Sequence, residues 1–422
     1  VKIPAFVLLA SILLIIALAA AFYMAWNIGA NDVANSMASA VGGKAISLKQ
    51  AVIIAGVLEM AGAVLLGSRV TNTVGKGIVD LQSINDPNVV IVGMLAALIA
   101  ASIGVTLSTW KSMPVSTSHF VVGAVMGFGL ISEGVAAVDW GVMGKIALSW
   151  VVSPIAGLFL AYFVFKLISK FVLSSDDPVK SAIRGSPIYV GATFLVIALS
   201  LLLKTRFGDM VGVSDNLMLA TLISVIVAVI TGLVGYYLVL RASKRWSGEE
   251  DKYARVERIF RGLQIMTSCY VAFAHGANDV ANAIGPLATV FQTIYDNSVV
   301  GQSAVPWQLL ALGGFGISAG VFTWGYKVIK TVGFNITELT NTRGYSIDFG
   351  VATTVLVFSK MGMPISTTHT VIGAVVGVGL AKGLAAVDLR VLKNIVISWM
   401  ITIPLAVVLS IVLYKGMSYL LL

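Results

Sequence analysis

Two short stretches carry the residue types that could do chemistry. GANDVAN occupies 29–35 and returns at 276–282. Each copy sets a carboxylate among amides: Asn31, Asp32 and Asn35 in the first, Asn278, Asp279 and Asn282 in the second. Spacings of three and four put Asp32 with Asn35, and Asn31 with Asn35, on one helical face. Carboxylate and amide oxygens grouped this way make a hard oxygen site suited to a small cation. A broken helix would add free carbonyls, and Gly29 and Gly276 permit a break and close backbone approach. For one copy the alternative is a water-facing helix end capped by Asn and Asp. That reading does not account for N-D-x-x-N kept twice.

A second repeated pair has the opposite affinity. PVSTSH spans 114–119 and PISTTH spans 364–369. Pro114 and Pro364 suit the first turn of a helix. Behind them stand Ser116, Thr117, Ser118 and His119, and in the other copy Ser366, Thr367, Thr368 and His369. Free backbone N–H groups at a helix start, ringed by hydroxyls, can hold a tetrahedral oxyanion. Helix capping alone is the plainer alternative, and some hydroxyls could ligate the cation instead. The chain's three histidines, His119, His275 and His369, all lie in or beside these motifs. His275 has no counterpart, since Ile28 stands in its place. Glu59, inside GVLEMAG, is likewise matched by Ile317. These two are candidates for coupling, or for a structural bond between helices. The oxygen-rich sites favour sodium, and the histidines keep protons as the alternative coupling ion. No prosthetic group is called for.

The elements that position these residues are membrane helices. Of 422 residues, 58% are hydrophobic and 11% charged, where an ordinary soluble chain is about a quarter charged. Charge-free runs cover 3–31, 88–110, 112–132, 146–165, 185–203, 216–240, 297–326, 361–381 and 394–414. A bilayer core needs roughly 20 such residues per helix. Expected helices fall near 3–28, 48–68, 88–110, 114–132, 141–168, 187–204, 214–240, 256–275, 305–326, 346–361, 364–383 and 391–420. The fold class is therefore an all-α polytopic membrane protein with about twelve spans. Cys269 is the single cysteine, which excludes an intrachain disulfide. The net charge of +9 sits in loops between apolar runs, as membrane topology requires, and does not point to nucleic acid. No Walker loop, His-Glu zinc pair or serine elbow is legible.

Further matches extend the repeat. MPVSTSHFVVGAVMGFG from Met113 returns from Met363, GSRVTNTVGKGI from Gly67 answers GYKVIKTVGFNI from Gly325, and VDWGVMGKIALSW from Val138 answers VDLRVLKNIVISW from Val387. All pairs are roughly 250 positions apart and in the same order. The expected organisation is a first repeat over 1–170, two intervening helices over 171–240, a polar linker over 241–258 and a second repeat over 259–422. Residues 241–261 hold seven basic and four acidic side chains. With the basic 166–184 loop they place the linker in the cytoplasm and both termini outside. Seven crossings separate the first helix from the eighth, so the five-helix repeats are inverted, a plan of secondary transporters with broken helices.

The duplicated GANDVAN with PVSTSH and PISTTH resembles the inorganic phosphate transporter (PiT) family of secondary carriers, and the likeness runs across nearly the whole membrane region. It implies import of inorganic phosphate across the inner (plasma) membrane with sodium, or with protons. Both aspartates and both Ser/Thr runs would form the central site. Sulfate or metal–phosphate complexes are cargoes of some members and relatives. An anion channel is the reading from another class of function. The resemblance favours a homodimer, and the short linker looks prokaryotic.

Overall fold

The computed structural model describes residues 5–67, 71, 77–84, 86–111, 115–204, 208, 211–244, 251–296, 305–335, 339–360, 365–383 and 389–422. Its chain order is helical: α1 (Ala5–Asp32), α2 (Ala34–Gly42), α3 (Leu48–Leu66), α4 (Pro87–Trp110), α5 (Thr117–Ser132), α6 (Trp140–Ile168) and α7 (Pro178–Lys204). After these come α8 (Leu217–Ser243), α9 (Lys252–Asp296), α10 (Trp307–Thr323), α11 (Gly325–Asn335), α12 (Asn341–Lys360), α13 (Thr367–Lys382) and α14 (Leu389–Leu421). Among the described residues, extended pairing is limited to a bridge between Val79 and Val138. Helix starts follow local chemistry. Ser47 and Gln50 close a capping box on α3, while Asp86, Asp139 and Asn216 cap α4, α6 and α8.

Each of the twelve expected stretches overlaps a described helix; 3–4, 68, 114, 361 and 364 lie outside the described residues. Among the described residues seven spans, α1 with α2, α3, α4, α6 continued by a π turn, α7, α8 and α14, are long and apolar enough to cross a membrane. Shorter α5 and α10 are apolar too. The stretches 256–275 and 346–361 belong to α9 and α12, which carry charge and turn residues inside the helix and are less apolar for that reason. GISAG at 316–320, whose letters fit a serine-nucleophile pattern, lies within α10 rather than on a strand-to-helix turn. Of the polar linker, residues 245–250 lie outside the described ones; α8 reaches Ser243 and α9 starts at Lys252.

The helix breaks differ from expectation. The first copy breaks at Val33, four residues after Gly29, where α1 gives way to α2. In the second, α9 runs unbroken from Lys252 to Asp296, straight through Gly276. The glycines serve approach, not interruption. A Cβ on Gly29 would sit 1.8 Å from the Ile317 carbonyl oxygen, and one on Gly276 would sit 2.0 Å from that of Glu59. Each repeat thus lends its glycine to a helix of the other, α1 against α10 and α9 against α3. The equivalence of Glu59 with Ile317 read from the sequence reappears as an exchanged contact. Pro114 and Pro364 lie outside the described residues. The helices they precede start later than expected, at Thr117 and Thr367, capped by Ser116 and Ser366.

Candidate functional site

Four helix segments bring the two motif pairs together: α1–α2, α5, α9 and α13. Asp32 ends α1 and is 1% exposed. Its Oδ2 accepts from Thr117 Oγ1 at 2.6 Å, and its Oδ1 accepts from Thr368 Oγ1 at 3.3 Å. Asp279 Oδ2 accepts from Thr367 Oγ1 at 3.3 Å. Thr117 and Thr367 hold equivalent places in the two sequence copies, so each aspartate takes a hydroxyl from its own copy. The amides reach across instead. Asn35 Nδ2 donates to Thr368 Oγ1 at 3.0 Å, and Asn282 Nδ2 donates to Ser118 Oγ at 3.1 Å. Thr368 and Ser118 are again equivalent positions. On the line between the copies, Ser366 Oγ donates to Ser116 Oγ at 3.0 Å. Two similar half-sites therefore share a buried wall of hydroxyls.

The remaining predicted residues sit around this centre. Asn31 holds structure: its Nδ2 donates to Thr109 Oγ1, and its Oδ1 accepts the Val115 N–H, which fixes the entry to α5. Asn278 donates to the Ala274 carbonyl one turn back. It lines a cavity of about 10 Å³ with Asn35, His275 and Thr367. That is room for about one water, so admitting an oxyanion requires these walls to part.

His119 and His369 make a third exchanged set. Their rings meet edge-on, with centroids 4.4 Å apart; His119 packs on Trp150 at 3.9 Å and His369 on Trp399 at 3.7 Å. Pro154 has no N–H to offer the carbonyl four residues back. That freed carbonyl belongs to Trp150, and His369 Nδ1 donates to it at 3.2 Å. The histidines' contacts lie behind the serine caps, so they hold the two Ser/Thr turns against each other.

The two residues that lack counterparts meet. His275 Nδ1 lies 3.3 Å from Glu59 Oε1, and its Nε2 lies 2.7 Å from Asp279 Oδ2. Both contacts are close enough for an ion pair but lack hydrogen-bond alignment. Ser36 on α2 donates to Glu59 Oε1 at 3.2 Å. Ligand atoms of Asp32, His275 and Asp279 lie within 4.8 Å of one another. A ring nitrogen suits transition metals, whereas a hard cation prefers oxygen. His275 sits directly on Asp279, while the hydrogen bonds to Asp32 come from hydroxyls and an amide.

Sequence reasoning missed Asp348. This carboxylate on α12 is 2% exposed and gathers hydroxyls from two other helices. Ser39 of α2 donates to Oδ1 at 2.6 Å, while Thr267 and Ser268 of α9 donate to Oδ2. A lone acid in an apolar run, SIDFGVATTVLV, was the available signal. The cost argument that flagged Glu59 applies to it equally.

Residues 28–410 match the model of the phosphate transporter family. A phosphate permease of Pyrococcus furiosus is 48% identical over 415 residues, covering 98% of each chain. The chloroplastic inorganic phosphate transporter 2-1 of Arabidopsis thaliana is 39% identical, covering 93% of this chain and 70% of its own. A solved structure titled the sodium-dependent phosphate transporter superposes with a TM-score of 0.85 at 44% identity, covering 96% of this chain and 99% of that one. With the family model spanning both half-sites, the chain belongs to the phosphate transporter family.

Proposed function

We propose that this multi-pass membrane protein imports inorganic phosphate together with sodium by alternating access, using the paired half-sites as its central site. One observation carries the reading: two buried aspartates, each bonded to a hydroxyl of its own copy, are tied together by amides that cross between copies. Asp32 and Asp279 are the sodium-binding carboxylates, supported by Asn35 and Asn282. Ser116, Thr117, Ser118, Ser366, Thr367 and Thr368 donate to phosphate or complete the sodium shells. His119 and His369 position those turns, while Asn31 and Asn278 brace the helices from which the ligands project.

The energetic logic is charge balance. A phosphate mono- or dianion in a low-dielectric centre is costly next to two carboxylates. Sodium on each aspartate offsets that repulsion and lets hydroxyls turn their protons to the anion. Neither ion is stable there alone, which is the physical content of symport. The sodium-dependent relative at 44% identity supports this choice of ion. The five-helix repeats over 1–170 and 259–422 are inverted in this reading, since an odd number of crossings separates α1 from α9. The exchanged contacts of the two copies accord with such a relation.

Asp32→Asn and Asp279→Asn test the reading in proteoliposomes. Each keeps shape and removes one sodium-binding charge, so sodium-driven phosphate uptake should be abolished. Full uptake with an unchanged sodium requirement in either variant would refute the assignment. His275, set between two carboxylates, favours one second reading, proton coupling. Phosphate accumulation driven by a pH gradient in sodium-free buffer would establish it in place of sodium.

A further inference from the structure

Away from the central site, α2 ends at a second, open cavity. It has a volume of about 530 Å³ and is lined by Val41, Lys44, Ile46, Ser47, Leu48, Gln50, Arg261 and Lys330. Three of these are cations and none is an acid. Among the described residues none of the three makes an ion pair. Arg261 Nε donates to the Ala45 carbonyl at 2.7 Å, its outer guanidinium nitrogens having no partner among the described residues, and Lys330 lies over the Tyr326 ring. Lys44 is held in place by its backbone. At φ 57° it is, among the described residues, the non-glycine residue with positive φ.

The cavity adjoins the central site through α2. Asn35 reaches the hydroxyl wall and Val41 lines the cavity, six positions and about 9 Å further along the same helix. Behind the wall lies Gln264, fully buried, its amide atoms without a hydrogen-bond partner. Its Oε1 is 3.0 Å from where a Cβ on Gly43 would be. A buried amide left so is normally satisfied by water or a ligand, so the wall is polar on its inner side as well. Lys and Arg converging on a concave space concentrate anions there. Arg and Lys together suit a phosphate group's geometry and charge.

We propose that this cavity is a second, weaker binding site for phosphate-bearing anions, and that free inorganic phosphate is its occupant on the way between the central site and water. The proposal rests on the central site carrying phosphate. Lipid phosphodiester is the other source of the same chemistry. It carries one negative charge against three cations, whereas the phosphate dianion carries two, which favours the free ion.

Equilibrium binding of radiolabelled inorganic phosphate, in sodium buffer, to full-length protein in phosphatidylcholine nanodiscs tests both sites separately. Wild type should show a tight and a weak class. Lys44→Gln with Lys330→Gln should weaken the weak class by about tenfold or more and spare the tight one, whose retention also reports a folded protein. Arg261 is left alone because it braces Ala45. Asp32→Asn should do the reverse, removing the tight class only. A weak class unaffected by the lysine pair would overturn the proposal and leave the cations to membrane orientation. Loss of the weak class on adding phosphatidylglycerol would assign the cavity to a lipid headgroup and overturn it equally. Loss of both classes in Asp32→Asn would also count against it. Absence of any tight class in wild type would instead strike at the central reading.

Discussion

Glu59 and His275 set the centre's asymmetry at the scale of single residues. Each stands where the other copy has an isoleucine, and they touch only because α3 packs on α9 at Gly276. His275 occupies the approach to Asp279, so the two half-sites should differ in sodium affinity. Replacing His275 with Gln removes a competitor and should strengthen sodium activation of uptake, by up to about tenfold for one lost close contact. Glu59→Gln removes negative charge and should weaken it. Sodium activation curves for both variants check this, and shifts in the same direction would contradict the competition. Asp348 makes a separate case. Asp348→Ala strands the Ser39 and Ser268 hydroxyls, while Thr267 keeps the Leu263 and Gln264 carbonyls; one hydroxyl left unpaired costs about 1–3 kcal/mol. Thermal unfolding in detergent should show that loss, and Asp348→Asn should recover part of it. The aspartates and hydroxyls were legible because they recur. The Glu59–His275 contact was not, because comparing copies shows only that each is unmatched. Asp348 escaped for want of any repeat to mark it, though its burial cost made it readable.

Helix contacts, rather than side-chain chemistry, fix how closely the half-sites meet. Most helical stretches were readable from apolar length, with ends within about five residues, but α7 starts nine residues before the expected 187 and α9 runs 21 residues past the expected 275. Breaks were not, because glycine in a motif signals either a turn or a close neighbour, and one sequence cannot separate them. In α9 the neighbour is the reason: the Glu59 carbonyl lies where the Gly276 side chain would project. Gly276→Ala must push α3 from α9, and Gly29→Ala must push α10 from α1. Overpacking of this kind costs about 1–3 kcal/mol. It would also misplace Glu59 against His275. Both variants should lower the unfolding temperature in detergent and reduce uptake. Gly262→Ala on the same helix meets nothing within 4 Å, and it should be neutral or slightly stabilising. Equal behaviour of Gly262→Ala and Gly276→Ala would remove the packing argument.

For the molecule as a whole, how the repeat supports alternating access depends on whether the copies face opposite ways. Parallel copies would offer both half-sites to one side, and alternating access would need some other symmetry. Contacts exchanged between copies occur throughout the centre: Gly29 with Ile317 and Gly276 with Glu59, Ser116 with Ser366, His119 with His369. A twofold axis through those pairs accords with inversion when it lies in the membrane plane, but packing alone does not say where that plane is. Charge does. On the positive-inside bias, the basic end of α8 at Arg241 and the start of α9 are expected in the cytoplasm. The opposite end of α8, capped by Asn216, then faces outward. One helix therefore carries the test. In a Cys269→Ala background, Asp215→Cys and Lys252→Cys put single thiols at exposed positions beyond the two ends of α8. An impermeant thiol reagent applied to intact cells should label Asp215→Cys and spare Lys252→Cys until the membrane is opened. Labelling in the reverse order would invert the expected side of every loop and of both termini. Labelling of both in intact cells would mean that α8 does not cross. That would remove one crossing between α1 and α9, turn seven into an even number, and make the repeats parallel.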